Sequence, residues 1–216
     1  MLKIEYEEGV KADDRYRKAI LNGVELAKAQ GYEVEDLTFI IKNPTKRYPD
    51  GASAGILEGD RLIGLAVDEH SPNFDLLVPL TVHEINHLER EKHSSIFTLE
   101  EVLVSEGLAQ MAEVKTGLSK ITAAYFKSPE EREIAIKLMA DKLDRPLFGK
   151  QQDPEQSYDY FFFGDKGGMP DRAGYALGLG IVKSFMEATG DTIQQTTKRP
   201  SSEIIEYWKN NKGPSL

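Results

Sequence analysis

The sequence predicts an α+β fold, in which a short mixed sheet packs on a mainly helical body. Short segments rich in β-branched and aromatic residues occur before residue 70, whereas apolar residues recur at helical spacing in the rest of the chain. Strands and helices do not alternate, which favours α+β over a βαβ arrangement. The 216 residues, 40% hydrophobic and 29% charged, are enough for one domain over residues 1–216.

The first 70 residues hold the predicted strands and one helix. The β-branched and aromatic segment LTFII at 37–41 is typical of a buried strand, and residues 2–6 are expected to form another. Apolar residues at helical spacing over 12–30 predict a helix that ends at Gly31. A loop over 43–53 and a hairpin over 55–67, turning at 58–60, complete this part.

Two helices are expected next, over 72–92 and 98–115. Pro79 lies inside the first and predicts either a kink or a true start near Val78. Thr98 and Glu101 match a capping box at the start of the second.

The C-terminal part, residues 117–216, is expected to be mainly helical. Gly117 ends the preceding helix. Asp171 is expected to cap a helix that runs to Ala188, with Gly190 as its end. The other helices are expected over 120–145 and 202–210, and the aromatic-rich segment 146–170 is expected to be irregular.

Composition excludes several classes of function. A net charge of −9 disfavours nonspecific binding to nucleic acid or to an anionic membrane. The absence of cysteine excludes disulfides, iron–sulfur clusters and thiol catalysis, so any metal must be held by His, Asp or Glu. The sequence carries no signal peptide and no apolar run of the roughly 20 residues that cross a bilayer, so we expect a cytoplasmic protein.

The four histidines fall within one short segment, and two of them form a metal-binding motif. His83, Glu84 and His87 belong to an H-E-x-x-H sequence. Residues four apart share a helix face, so both imidazoles can bind one metal ion. Glu84 lies about 100° around the helix, where it can take a proton from a metal-bound water without being a ligand. The motif therefore predicts zinc-dependent hydrolysis of a polarised carbonyl.

Two residues compete for the role of third ligand. His93 stands ten residues after His83, but the position that needs a flexible glycine is Arg90, a strong helix former. In a continuous helix His93 would lie about 15 Å along the axis from His83. Glu106 lies on the next predicted helix, in a largely apolar face where a zinc ion would remove the cost of a buried carboxylate. We expect Glu106 to be the ligand, and Gly107 to leave room for close helix packing.

Three blocks of the sequence resemble the YjaZ-like family of predicted zinc-dependent bacterial proteases. They are HEINHLER from His83, SEGLAQ from Ser105, and the block FFGDKGGMPDRAGYALG from Phe162. The resemblance implies a small zincin-like core of the gluzincin type, with Zn²⁺ held by His83, His87 and Glu106 in helices over 72–116 and Glu84 as the base. It also implies a peptide or protein substrate, which the strand around 62–67 would bind by strand addition.

The third block contains a candidate for stabilising the oxyanion. Gluzincins commonly use a downstream Tyr or His for this purpose, and Tyr175 lies on a predicted helix beside Gly174 and Gly178. Arg172, His70 and Tyr158 are the alternatives. A core tyrosine with a purely structural role is the competing interpretation of Tyr175.

Alternatives stay open for the residues that orient the metal ligands, for the aromatic run and for the function of the protein. Thermolysin-type enzymes place an Asp four residues after the glutamate ligand, where this chain has Gln110, a neutral orienter, and Glu113 follows on the same face. The aromatic run at 158–163 could line a substrate pocket or fill space under a loop. The rival functions are a metzincin-like peptidase that uses His93 and a zinc-binding regulatory domain without turnover.

Overall fold

The structure, a computed structural model, confirms the α+β class. It describes residues 2–42, 55–59, 61–67, 74–94, 98–118, 126–148, 157–164 and 168–211. Within these residues the strands are Lys3–Tyr6 (β1), Thr38–Lys42 (β2), Gly55–Gly59 (β3) and Leu62–Ala66 (β4). The helices are Asp14–Ala29 (α1), Phe74–Glu91 (α2), Leu99–Lys115 (α3), Pro129–Met139 (α4), Tyr158–Phe163 (α5), Ala173–Thr189 (α6), Ile193–Thr197 (α7) and Ser201–Asn210 (α8).

The described strands form one mixed sheet in the order β1-β2-β4-β3. Strand β2 pairs in parallel with β1 and β4, whereas β3 and β4 form the predicted antiparallel hairpin. Strand β4 therefore lies inside the sheet with both neighbours paired, and it cannot accept a further strand. The expectation that the 62–67 strand receives an extended peptide is wrong, because the outer arm of the hairpin is β3. The predicted loop over 43–53 lies outside the described residues.

Two compact units divide the chain. The first comprises residues 1–89 and 112–122, and the second comprises residues 90–111 and 123–216. Helices α2 and α3 each contribute residues to both units. The organisation as one domain over residues 1–216 stays a prediction.

The first unit contains the sheet, α1 and most of α2. Its fully buried side chains come from α1, from α2 and from alternate positions of the strands, and include Ile20, Val82, Phe39, Ile41, Ile63 and Leu65. Helices α1 and α2 approach closely at Gly23, where an added Cβ would lie 2.5 Å from the Cβ of Thr81. Because this unit holds most of α2 firmly against α1, it fixes the helix that carries the H-E-x-x-H motif.

Helix α2 continues through its internal proline. It begins at Phe74, so the alternative of a true start near Val78 is wrong. Near its other end the guanidinium of Arg90, which is fully buried, donates to the carbonyls of Thr197 at 2.7 Å and Arg199 at 2.5 Å, and to the Ser201 hydroxyl at 2.6 Å. Because the helix runs past Arg90, it does not bend back after the motif.

The second unit is built around α6, which packs on α4, α5 and α8. Helix α3 begins with the predicted capping box, in which the Glu101 N–H donates to Thr98 Oγ1 at 3.3 Å and the Thr98 N–H to Glu101 Oε2 at 3.1 Å. The chain leaves α3 at Gly117, whose φ of +75° is left-handed as a terminating glycine requires. These ends agree with the sequence prediction.

Several C-terminal predictions are wrong in detail. Only Pro129–Met139 is helical in the described part of 120–145, because Ser128 caps a helix that starts there at proline. The 146–170 segment contains α5, which Ser157 caps and left-handed Gly164 ends. The helix at 171–188 begins at Ala173 without a side-chain cap from Asp171. Its N-cap is Arg172, whose φ of 54° is left-handed. The short helix α7 is a further element that the sequence analysis did not predict.

Across the part of the chain that the structure describes, no helix combines the length and the apolarity needed to cross a membrane.

Candidate metal centre

The two histidines of the motif lie on one face of α2, as the spacing predicts. Their rings meet edge to face with centroids 4.6 Å apart, and the two Nε2 atoms are 3.0 Å apart. The carboxylate of Glu84 is buried, and its Oε1 lies 4.0 Å from His83 Nε2. Glu84 is therefore close to Nε2 of His83, at a distance longer than a hydrogen bond.

Glu113, near the end of α3, anchors the ring of His83. Its Oε1 lies 2.5 Å from His83 Nδ1, and both side chains are buried. A carboxylate only accepts, so Nδ1 carries the proton and Nε2 presents its lone pair toward His87. Outer partners of this kind orient metal-ligating histidines. The orienting group at Nδ1 of His83 is thus Glu113, and a supporting role for Gln110 stays a prediction.

Glu106 lies on α3, two turns before Glu113, and is almost completely buried. Its Oε1 accepts a hydrogen bond from the Tyr158 hydroxyl at 2.8 Å. The Tyr158 hydroxyl is in turn 2.7 Å from that of Tyr175. Because Tyr158 donates to the carboxylate, Tyr175 donates to Tyr158. Burial, followed by the negative charge of Glu106, raises the pKa of Tyr158 well above its usual value, so the phenol keeps its proton.

Glycines allow the close packing around Glu106 that the sequence predicts. A Cβ added at Gly107 would collide with the backbone carbonyl of Gly178 on α6, and one added at Gly178 would collide with the carbonyl of Leu103. Gly174 instead faces the ring of Phe162, with an added Cβ 2.7 Å from its Cδ1. Helices α3 and α6 therefore touch through their backbones one residue after Glu106, which fixes the position of its carboxylate relative to Tyr175.

His83, His87 and Glu106 offer ligand atoms that all lie within 4.8 Å of one another. In a tetrahedral zinc site with bonds of about 2.0–2.2 Å, two ligand atoms lie about 3.3–3.6 Å apart. Two imidazoles and one carboxylate are a donor set that suits zinc. The two ring nitrogens are 3.0 Å apart, so they would have to separate only slightly to bind one zinc ion. Among the described residues, no other group of His, Asp and Glu meets this criterion.

The other histidine that the structure describes, His93, does not join this cluster. His93 lies in the turn after α2, where its N–H donates to the carbonyl of Arg90 at 2.9 Å and its side chain is exposed. It lines a separate cavity of about 770 Å³ with Glu91, Glu100 and Glu101 among other residues. His70 lies outside the described residues. The geometry therefore offers no support to the reading in which His93 is the third ligand.

Comparison with known proteins gives a family but no individual relative. A family model described as "Predicted Zn-dependent protease (DUF2268)" matches residues 12–206, which is most of the chain. The matched range contains all three sequence blocks and every candidate site residue. No curated protein and no solved structure matches the chain.

Proposed function

The chain belongs to this family of predicted Zn-dependent proteases, which confirms the resemblance seen in its sequence, and we propose that it is a zinc metallopeptidase of the gluzincin type. The observation that carries the proposal is the convergence of His83, His87 and Glu106, with ligand atoms within 4.8 Å of one another. Three protein ligands with one open position are typical of catalytic zinc, whereas structural zinc usually has four protein ligands.

His83, His87 and Glu106 would hold the ion. When bound, zinc acts as a Lewis acid on a substrate carbonyl and lowers the pKa of a water to about 7. Glu113 keeps the proton of His83 on Nδ1, so that Nε2 remains a ligand. Glu84 takes a proton from the attacking water and later gives it to the leaving amine, which is general base and then general acid catalysis.

The two tyrosines have different proposed roles. Tyr158 holds one oxygen of Glu106 and so orients the carboxylate. Tyr175 turns its hydroxyl from Tyr158 to the substrate carbonyl oxygen as negative charge develops there. The 2.7 Å contact between the two hydroxyls supports this role of Tyr175. Because Tyr158 donates to Glu106, the contact keeps the Tyr175 hydroxyl close to the proposed glutamate ligand. Arg172, one of the alternative candidates for stabilising the oxyanion, lies with its guanidinium 5.3 Å from the centre of the Tyr175 ring.

The substrate is proposed to be a peptide or protein. Strand β3 lies at one end of the strand order and pairs with β4 on one side, so its outer edge could take up an extended chain by strand addition. The cytoplasmic location stays a prediction.

Cleavage of a complex peptide mixture tests the proposal. Zinc-loaded protein is incubated with peptides from a digested proteome, and new termini are identified by mass spectrometry. We expect Glu84→Gln to retain zinc and to lose cleavage by about two orders of magnitude or more. Glu100→Gln, a carboxylate change on α3 outside the site, is the matched control and should cleave normally. Zinc binding by the wild type with no cleavage above the Glu84→Gln level would overturn the proposal and identify a binding domain.

A further inference from the structure

An aromatic cluster adjoins Glu106 in the second unit. It consists of Phe148, Tyr158, Phe162, Phe163 and Tyr175. The rings of Tyr158 and Phe162 are stacked with centroids 4.5 Å apart and planes at 9°. Phe148 stacks more loosely on Tyr158 at 6.0 Å, and Phe163 meets both Tyr158 and Tyr175 edge to face, at 6.0 and 6.1 Å. The distances are those of favourable aromatic pairs, so the five rings pack together.

Two members of the aromatic cluster are open to solvent. Phe148 is 50% exposed and Phe163 is 41% exposed, although Phe161 and Phe162 on the same short helix as Phe163 are fully buried. Helix α5 therefore directs some of its aromatic side chains into the core and leaves Phe163 outside. Both exposed rings contact Tyr158. Exposed apolar side chains that share a neighbour in this way mark binding surfaces more often than isolated exposed residues do.

The cluster is continuous with the proposed metal centre. The ring of Tyr158, which contacts both exposed phenylalanines, carries the hydroxyl that donates to Glu106 at 2.8 Å. An extended peptide advances about 3.3 Å per residue, and its side chains are several ångströms long. We therefore expect a side chain next to a bond held at the metal to be nearer to the exposed rings than one several residues away.

Charge at the cluster narrows the kind of side chain that it would accept. The Arg172 guanidinium lies 5.3 Å from the centre of the Tyr175 ring, and Arg172 is kept in a left-handed backbone conformation with φ of 54°. A positive charge beside an apolar wall disfavours a Lys or Arg side chain at that wall, even though the whole chain has a net charge of −9. An aromatic ring avoids that repulsion and can stack on the exposed phenylalanines.

We infer that Phe148 and Phe163 form a subsite for a large uncharged side chain, preferably aromatic, adjacent to the peptide bond that is cleaved. The inference rests on the proposed function, because it names the substrate class of the same site. Phe148 and Phe163 provide the walls, and Tyr158 connects the subsite to Glu106.

Binding of matched hydroxamates tests the subsite without requiring turnover. The probes are peptide hydroxamates, which chelate zinc. Each carries a benzyl, a methyl or an aminobutyl side chain on the residue next to the hydroxamate. In one series this residue precedes the hydroxamate, and in the other series it follows the hydroxamate. Calorimetry with the zinc-loaded protein should show the benzyl compound binding at least about tenfold more tightly than the other two in one series. Phe148→Ser and Phe163→Ser should reduce that ratio severalfold. Ile134→Ser, which changes another exposed apolar residue at 43% exposure, should leave it unchanged.

The outcomes separate the subsite from the proposed function. Equal affinity for the benzyl and methyl compounds would overturn the subsite while the zinc site stands. Binding of none of the compounds would contradict the metal site itself, and the subsite with it. Because the decisive comparison is made in the wild type, a folding defect in a variant does not remove the test.

Discussion

Glu113 Oε1 lies 2.5 Å from Nδ1 of His83, although the two residues are 30 positions apart and on different helices. The contact fixes both the orientation of the ring and the nitrogen that carries its proton. It leaves Nε2 directed to the nitrogen of His87, at 3.0 Å. The metal centre is thus prepared by a carboxylate that is not itself in the ligand group.

Replacing Glu113 should weaken zinc binding without removing a ligand. Glu113→Gln keeps the shape of the side chain but loses the charged acceptor of the His83 N–H, so we expect a loss of about 10–100-fold in zinc affinity. The affinity is measured by competition with a chromophoric chelator at neutral pH. Glu100→Gln, on the same helix, should bind zinc like the wild type. Equal affinities of the two variants would show that Glu113 does not support the site.

Substitution of Tyr158 and of Tyr175 should change different measured quantities, namely zinc affinity for Tyr158 and kcat for Tyr175. Tyr158→Phe removes the donor to Glu106 and should lower zinc affinity by about 10-fold or more. It should also change the visible absorption of the cobalt-substituted protein, which reports ligand geometry. Tyr175→Phe leaves the bond to Glu106 in place, so it should retain zinc affinity and lower kcat with little change in KM. A Tyr175→Phe variant that loses only stability would assign that residue to the core.

Local spacing in the sequence accounts for much of the proposed ligand set, whereas it does not account for the residues that support these ligands. His83 and His87 are four residues apart on one helix, and this relation is fixed by helix geometry alone. Glu106 was identified because a carboxylate in an apolar face needs a partner. Glu113 and Tyr158 act through contacts across 30 and 52 residues, and no periodicity encodes such distances.

The same division applies to the fold. The capping box at Thr98 is a pattern within four residues, and the structure contains it. Helix α5 was missed because six mostly aromatic residues are too few for helical periodicity and have modest helix propensity. The sequence does not predict Arg172 as an N-cap, because its side chain makes no capping hydrogen bond. The turn before the helix is instead held by a backbone hydrogen bond from the Ala173 N–H to the Pro170 carbonyl at 3.2 Å.

Close contact of helices α3 and α6 should be necessary for the position of Glu106. Gly107→Ala would ordinarily favour a helix, but its Cβ collides with the Gly178 backbone, so we expect a loss of about 1–3 kcal/mol in the free energy of unfolding. Zinc affinity should fall as well. Gly117→Ala introduces strain of about 1 kcal/mol at a left-handed position with open space, and it should not affect zinc binding. Unchanged zinc affinity in both variants would contradict this role of the helix contact.

Arg90 should contribute to stability by binding carbonyls. Burial lowers its pKa to about 10, so it remains charged at neutral pH and depends on its bonds to the Thr197 and Arg199 carbonyls. Arg90→Lys cannot reproduce the planar donor geometry and should cost about 2–3 kcal/mol in urea unfolding. Arg15→Lys, at an exposed ion pair, should leave the urea midpoint close to that of the wild type. A loss for Arg90→Lys no larger than that of the control would exclude a structural role for the three bonds.

The most direct test of the metal centre is anomalous diffraction at the zinc edge from crystals of the zinc-loaded protein. The account predicts one zinc per chain, with Nε2 of His83, Nε2 of His87 and a carboxylate oxygen of Glu106 at about 2.0–2.2 Å and no protein atom in the fourth position. Glu113 should remain on Nδ1 of His83. A zinc ion bound elsewhere, a ligand shell that contains His93, or a fourth protein ligand that closes the site would contradict it.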